Sequence, residues 1–154
     1  MVVTTDIGNA KDIHPTNKQD VAKRLAAIAL NDVYGKKQVN SGPMYKSMDI
    51  KGNQITVSFA SIGNGLSTTD QNGNLKGFEI AGVDKVFYPA KAIIKDNKVI
   101  VSSEAVPNPV AVRYGWADDD TEINLFNKEN FPASPFRTDN WEMMTANEKY
   151  SVSK

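Results

Sequence analysis

The residues best suited to chemistry lie near the amino terminus, in "DIGNAKDIHPTNKQDVAKRLA", Asp6 to Ala26. This stretch holds the only histidine of the chain, His14, with Asp12 two residues before it and Asp6 eight before it. A neutral imidazole is the usual general base for activating a serine hydroxyl, because its pKa lies close to working pH. Such a base needs a carboxylate to hold its tautomer and orientation, and Asp12 and Asp6 are the two candidates. His14 also precedes a helical pattern, where the positive end of the helix dipole disfavours imidazolium and keeps a resting base neutral. The alternative is an ordinary surface or capping histidine, the commoner role for a single His in a loop. A lone His with scattered acids has no metal-ligand spacing, and nothing in the sequence calls for a cofactor.

The element that must position His14 is the helix that follows. Thr16 reads as its N-cap, with Gln19 completing a capping box and Pro15 just outside. Gly35 is the stop signal after Tyr34. Val21, Leu25, Ile28 and Ala29 recur at spacings of three and four, widened by Ala22, Leu30 and Val33. Asp20, Lys23, Arg24 and Asn31 lie off this stripe. The pattern is an amphipathic helix that must dock on something. Residues 36–43, "KKQVNSGP", read as a linker.

Beyond the linker the period changes to two. Ile55, Val57 and Phe59 alternate with Thr56 and Ser58, as in a half-buried strand entered from a Gly52-Asn53 turn. "AIIKDNKVIVSS" is a hairpin signal with Asp96-Asn97 at its tip. "GFEIA" makes another strand. Val110, Val112, Tyr114 and Trp116 alternate with Ala111, Arg113 and Gly115. Six or seven strands at this spacing indicate a mainly β chain, a β-sandwich of Ig-like or similar type, preceded by one helix. The stretch "NLFNKENFPASPFRTDNW" has too many prolines for a central strand and reads as an ordered extended strap. The tail from Glu142 to Lys154 reads as frayed. A lone helix beside a sandwich suggests that it belongs to a layered α/β architecture whose remaining parts lie elsewhere.

Composition removes several functions. The 154 residues carry 18 basic and 18 acidic side chains with no basic run, which argues against nucleic acid and anionic membrane as partners. The absence of cysteine removes disulfides, thiol catalysis and thiolate metal sites. No apolar run approaches the roughly 18 residues of a membrane span. "MVVTTDIGNA" lacks the regions of a signal peptide.

The His-containing block closely resembles that of the sialate O-acetylesterases, within the broader SGNH hydrolase class. "SGPMYKSM", "GFEIAG" followed by "VFYPAKAII", "VAVRYGWAD" and "NLFNKENFPASPFRTDNW" resemble the carboxyl-terminal part of bacterial members, in matching order from about Thr4 to Trp141. The resemblance implies removal of acetyl groups from sialic acid hydroxyls, or from another acetylated glycan. It implies a serine nucleophile on a flavodoxin-like α/β domain and His14 as base. It further implies that 1–35 close that hydrolase domain, 36–43 link, 44–141 form an accessory β-sandwich and 142–154 a flexible tail. The family's habit is periplasmic or secreted. The partners implied are the acetylated glycan and the absent hydrolase domain, with self-association through the helix, 17–34, as the other way to cover its stripe.

Two departures stand beside the resemblance. The wider class often carries Asp three residues before its His, but here that position is Lys11, so the support could come from Asp12 or Asp6. The serine block is absent: Ser61 and Ser67 in "SIGNGLS" lie in the β-region without a strand–turn–helix context. The chain alone should therefore be inactive, and the alternative reading is a non-catalytic β-sandwich module that binds carbohydrate or a partner protein, with the helix as its docking element.

Other residues carry two readings each. Arg113 and Arg137 could reach a sialate carboxylate; tying the sandwich to a neighbouring loop is the commoner role, with Asp118 to Asp120 as nearby partners for Arg113. Trp116 and Trp141 could form a sugar platform, or serve packing. The Asp118-Asp119-Asp120 triplet lacks the Gly and distal Glu of a calcium loop and reads as a solvated turn.

Overall fold

A computed structural model describes residues 1–12, 14, 16–117, 122–143 and 145–147. Pro15, the aspartate triplet and most of the tail fall outside the described residues. The chain begins with a 3₁₀ turn, Thr5–Ile7, and one α-helix, α1, Lys18–Asp32. Eleven strand segments follow among the described residues: β1 Met44–Lys51, β2 Gln54–Ala60, β3 Leu66–Thr68, β4 Asn74–Leu75, β5 Phe78–Ala81, β6 Phe87–Pro89, β7 Lys91–Lys95, β8 Lys98–Ser102, β9 Ala111–Tyr114, β10 Leu125–Asn127 and β11 Phe136–Arg137. They form a five-stranded sheet, β1-β2-β8-β7-β4, a four-stranded sheet, β11-β9-β5-β6, and a two-stranded pair, β10-β3. All pairings are antiparallel. The expected architecture, a mainly β sandwich-like fold preceded by one helix, is what forms.

The core sits between the larger sheets. Ile55, Val57 and Phe59 of β2 and Val99 and Val101 of β8 face Phe78, Ile80, Val112 and Tyr114 of β5 and β9, all buried. The alternation along β2 puts one residue in two into this layer, as the sequence period requires. Burying each such side chain contributes about 1.5–3 kcal/mol. The β7–β8 hairpin turns at Asp96 and Asn97, both in the left-handed region with φ of 51° and 55°, which matches the right-handed twist of the strands. The proline-rich strap adds β10 and β11 to the sheets. Its Phe136 closes the core, stacked on Tyr45 with ring centroids 5.0 Å apart and edge-on to Phe59 at 5.7 Å.

The stretch between helix and sandwich is fastened at its far end. Gly42 and Pro43 are buried, and a Cβ at Gly42 would collide with the Pro132 backbone. Asn127, fully buried, donates from Nδ2 to the Ser41 carbonyl at 3.0 Å and accepts from the Phe131 amide at 2.9 Å. The Ser134 amide reaches the Pro43 carbonyl at 3.0 Å.

The helix departs from expectation at its start and in its orientation. Its N-cap is Asn17, not Thr16: Asn17 Oδ1 accepts the Asp20 amide at 3.1 Å and its Nδ2 donates to the Asp20 carboxylate. The same amide group and Lys23 hold the Asp20 carboxyl below the usual carboxylate range. At the other end Gly35 is left-handed, as expected, and the Lys36 amide returns to the Leu30 carbonyl at 2.8 Å. The one buried helical side chain is Arg24. Leu25, Leu30 and Val33, counted in the apolar stripe, are exposed, Leu25 by 51%. Val21 and Ile28 are half-buried. The helix is rotated because Arg24 is neutralised by a carboxylate outside the helix.

Candidate functional site

The segment before the helix is a run of tight local hydrogen bonds. The Lys11 amide donates to Asn9 Oδ1 at 3.0 Å, and the Asp12 amide to the Asn9 carbonyl at 3.2 Å. Asp12 Oδ1 then accepts twice from His14: the backbone amide at 2.8 Å and ring Nδ1 at 3.1 Å. An Asx-type turn thus presents the carboxylate to the ring of the residue two positions on. The side chains remain solvent-facing, His14 by 80% and Asp12 by 51%. With its proton on Nδ1 the ring points a free Nε2 lone pair into solvent, the arrangement a proton acceptor needs.

Asp6 has a different partner. It receives two hydrogen bonds from the Arg24 guanidinium, at 2.7 and 2.6 Å, and Arg24 also donates to the Val3 carbonyl at 2.7 Å. Both side chains are nearly out of solvent, at 8% and 9% exposure. The fork-on-fork geometry is the strong form of such a pair. Of the two carboxylates the sequence offers His14, the structure brings Asp12 to the ring and ties Asp6 to Arg24 of α1. Arg24 was missed, because nothing in the spacing links it to an acid 18 positions upstream.

Ser61 and Ser67 make no hydrogen bond to His14 among the described residues. Ser61 follows β2 with a left-handed φ of 55°, but a Gly63-Asn64 turn comes next instead of a helix, so the amide donors of a helix start are lacking. Ser67 sits within β3, paired with β10.

A second cluster covers the outer face of the four-stranded sheet. Arg137, Arg113, Glu79 and Pro89 are register partners across β11, β9, β5 and β6 and so form one row. Arg113 is clamped by Asp139, with bonds of 2.9 Å from Nε and Nη2, and lies 3.9 Å above the Phe87 ring. Asp139 thus takes the tying role that the sequence offered to Asp118–Asp120. The Arg113 hydrogen bonds hold its buried carboxyl below the usual range, against the opposing effect of burial. Arg137 donates to the Trp141 carbonyl at 3.1 Å and approaches Asp139 at 3.7 Å. Trp141 packs on Phe87, ring centroids 5.7 Å apart.

Trp116 does not continue the inward alternation of Val112 and Tyr114. Strand β9 ends at Tyr114, and Gly115, left-handed at φ 62° with its amide on the Gly77 carbonyl, turns the chain. Trp116 comes to lie near the guanidinium groups of Arg113 and Arg137, at 5.8 and 5.7 Å, and remains 38% exposed. The two tryptophans therefore differ: Trp141 packs, and Trp116 offers a surface.

Among the described residues no three acidic or histidine side chains gather as a metal site, and no helix is long and apolar enough to cross a membrane. No family model and no curated protein matches the sequence. Among solved structures the chain is similar to XAC1771, a carbohydrate acetylesterase from Xanthomonas citri, at 47% identity over 88% of this chain with a TM-score of 0.83. The chain spans 31% of the length of that protein. A likeness of this closeness marks a relationship to carbohydrate esterases.

Proposed function

We propose that the chain contributes the general base to serine-dependent hydrolysis of acetyl esters on a glycan, with O-acetylated sialic acid as the substrate to which the sequence resemblance points. The observation that carries this is the Asp12–His14 contact of 3.1 Å on an otherwise solvent-facing ring. Its support is the likeness to a carbohydrate acetylesterase. Nε2 takes the proton of a serine hydroxyl as that oxygen attacks the acetyl carbonyl. The imidazolium then returns the proton to the departing sugar oxygen. Asp12 holds the ring in the donating Nδ1 tautomer and offsets the charge that develops on it. Water repeats the cycle to release acetate.

The serine and the oxyanion donors belong to an α/β hydrolase domain of the SGNH kind. Residues 1–35 complete that domain, 36–43 connect it, and 44–141 form the accessory sandwich. The exposed helix face of Leu25, Leu30 and Val33 docks on it, or on a second copy in its absence. The complete enzyme works in the periplasm or outside the cell.

Acetate release from 4-nitrophenyl acetate and from O-acetylated sialic acid tests the reading. The chain alone is expected to be inert. In the complete reading frame His14→Ala is expected to lower kcat by about 10⁴-fold or more, and Asp12→Asn by about 10²–10⁴-fold. Turnover that survives His14→Ala would contradict the assignment. Turnover by the chain alone that vanishes with His14 would place the nucleophile here.

A further inference from the structure

On the outer face of the four-stranded sheet a cleft of about 180 Å³ lies between Trp116, Glu79, Pro89, Gly77 and Ala117. We propose that this cleft is a binding subsite for a neutral pyranose ring, stacked on Trp116 and hydrogen-bonded to Glu79. The inference takes from the esterase reading only the general class of glycan, and it involves no catalytic step.

Three observations carry it. Trp116 is aimed here by the left-handed Gly115, which removes it from the core side of its strand. A large aromatic surface 38% exposed beside a concavity is the form of a ligand platform. Glu79 is half-buried, yet its carboxylate makes no hydrogen bond or ion pair with another described residue. Arg113 stands next to it in the row, but its guanidinium is engaged by Asp139 and by the Phe87 face. A partly desolvated carboxylate without a donor is an acceptor waiting for hydroxyl groups.

The charges select the class of sugar. Arg113 and Arg137 lie near the Trp116 ring and disfavour a second cation there. The Glu79 carboxylate disfavours an anion. A pyranose has apolar C–H groups on one face for the indole and hydroxyl donors at its rim for the carboxylate. A ring held here would tether the glycan through the sandwich while the ester is processed elsewhere.

The protein holds two tryptophans, so its indole N–H resonances form a two-signal readout. Titration with xylotetraose or methyl glucopyranoside is expected to move the Trp116 signal saturably, with an apparent Kd on the order of 1 mM, and to leave Trp141 in place. Trp116→Phe identifies the signal, and calorimetry on that variant is expected to retain most of the affinity. Trp116→Ala is expected to lose it at least tenfold, and Glu79→Gln to weaken it by about tenfold, one charge-assisted hydrogen bond. His14→Ala is expected to bind as the parent does, so loss of turnover and loss of this subsite are separate results. No response to either neutral sugar would overturn the proposal. So would an equal or stronger response to glucosamine or N-acetylneuraminic acid, or binding unchanged in Trp116→Ala.

Discussion

In the sandwich the fully buried side chains are Ile55, Val57, Ile80, Val99, Val101, Val112 and their neighbours. In the amino-terminal arm the buried helical side chain is Arg24, and the leucines of the same helix face solvent. One region is held by apolar area, the other by a guanidinium seated on Asp6 and on the Val3 carbonyl. The difference teaches where each region gets its position. The sandwich is fixed by many interchangeable contacts. The arm depends on a few directional bonds, and it carries His14 with half of its helix uncovered.

That contrast can be broken first at the ion pair. Asp6→Ala leaves Arg24 buried without its carboxylate, at a cost of about 3–5 kcal/mol. Hydrogen exchange should rise through α1 and residues 1–12, while β2, β8 and β9 keep their protection. A uniform loss across both regions would mean that arm and sandwich form one cooperative unit. Ile55→Ala reverses the test: a cavity in the sandwich is expected to cost about 2–5 kcal/mol in global denaturation. Leu25→Ala, on the exposed helix face, is expected to cost under about 0.5 kcal/mol.

The second ion pair sharpens the comparison through pH. Asp139 has a lowered pKa in the folded state because Arg113 donates to it. Its contribution is therefore present above the unfolded value of about 3.9 and is lost as pH falls through the folded value. Asp139→Asn should flatten the acid limb of the stability profile in the sandwich. An unchanged limb would remove this pair from the account. A more local effect is expected at the helix cap, where Asn17→Ala should cost about 1 kcal/mol and raise exchange in the first turn of α1 only.

What was legible in the sequence was local. The alternation of Ile55, Val57 and Phe59 marks a strand, because a pleat puts every second side chain on one face. Asp96-Asn97 marks the turn of the β7–β8 hairpin, because few other residues accept two left-handed positions. For His14 the sequence left Asp12 and Asp6 open as partners, and a turn joins Asp12 to it. What escaped was set by partners distant in sequence. Apolar spacing put the docked face of the helix through Leu25, but Asp6 made Arg24 the residue that could be buried. Strand period put Trp116 inward, but Gly115 ended the strand and turned it out. Asp139 was overlooked as the partner of Arg113, since the pairing depends on β11 lying beside β9.

The account turns on an imidazole that accepts a proton while Asp12 steadies it. The most direct measurement is the pH dependence of acetyl-ester turnover by the complete reading frame, for the parent, Asp12→Asn and His14→Ala. The expected rate rises with deprotonation of a single group, falls by about 10²–10⁴-fold in Asp12→Asn, and disappears with His14. A His14→Ala protein that still turns over with the same pH profile would contradict it.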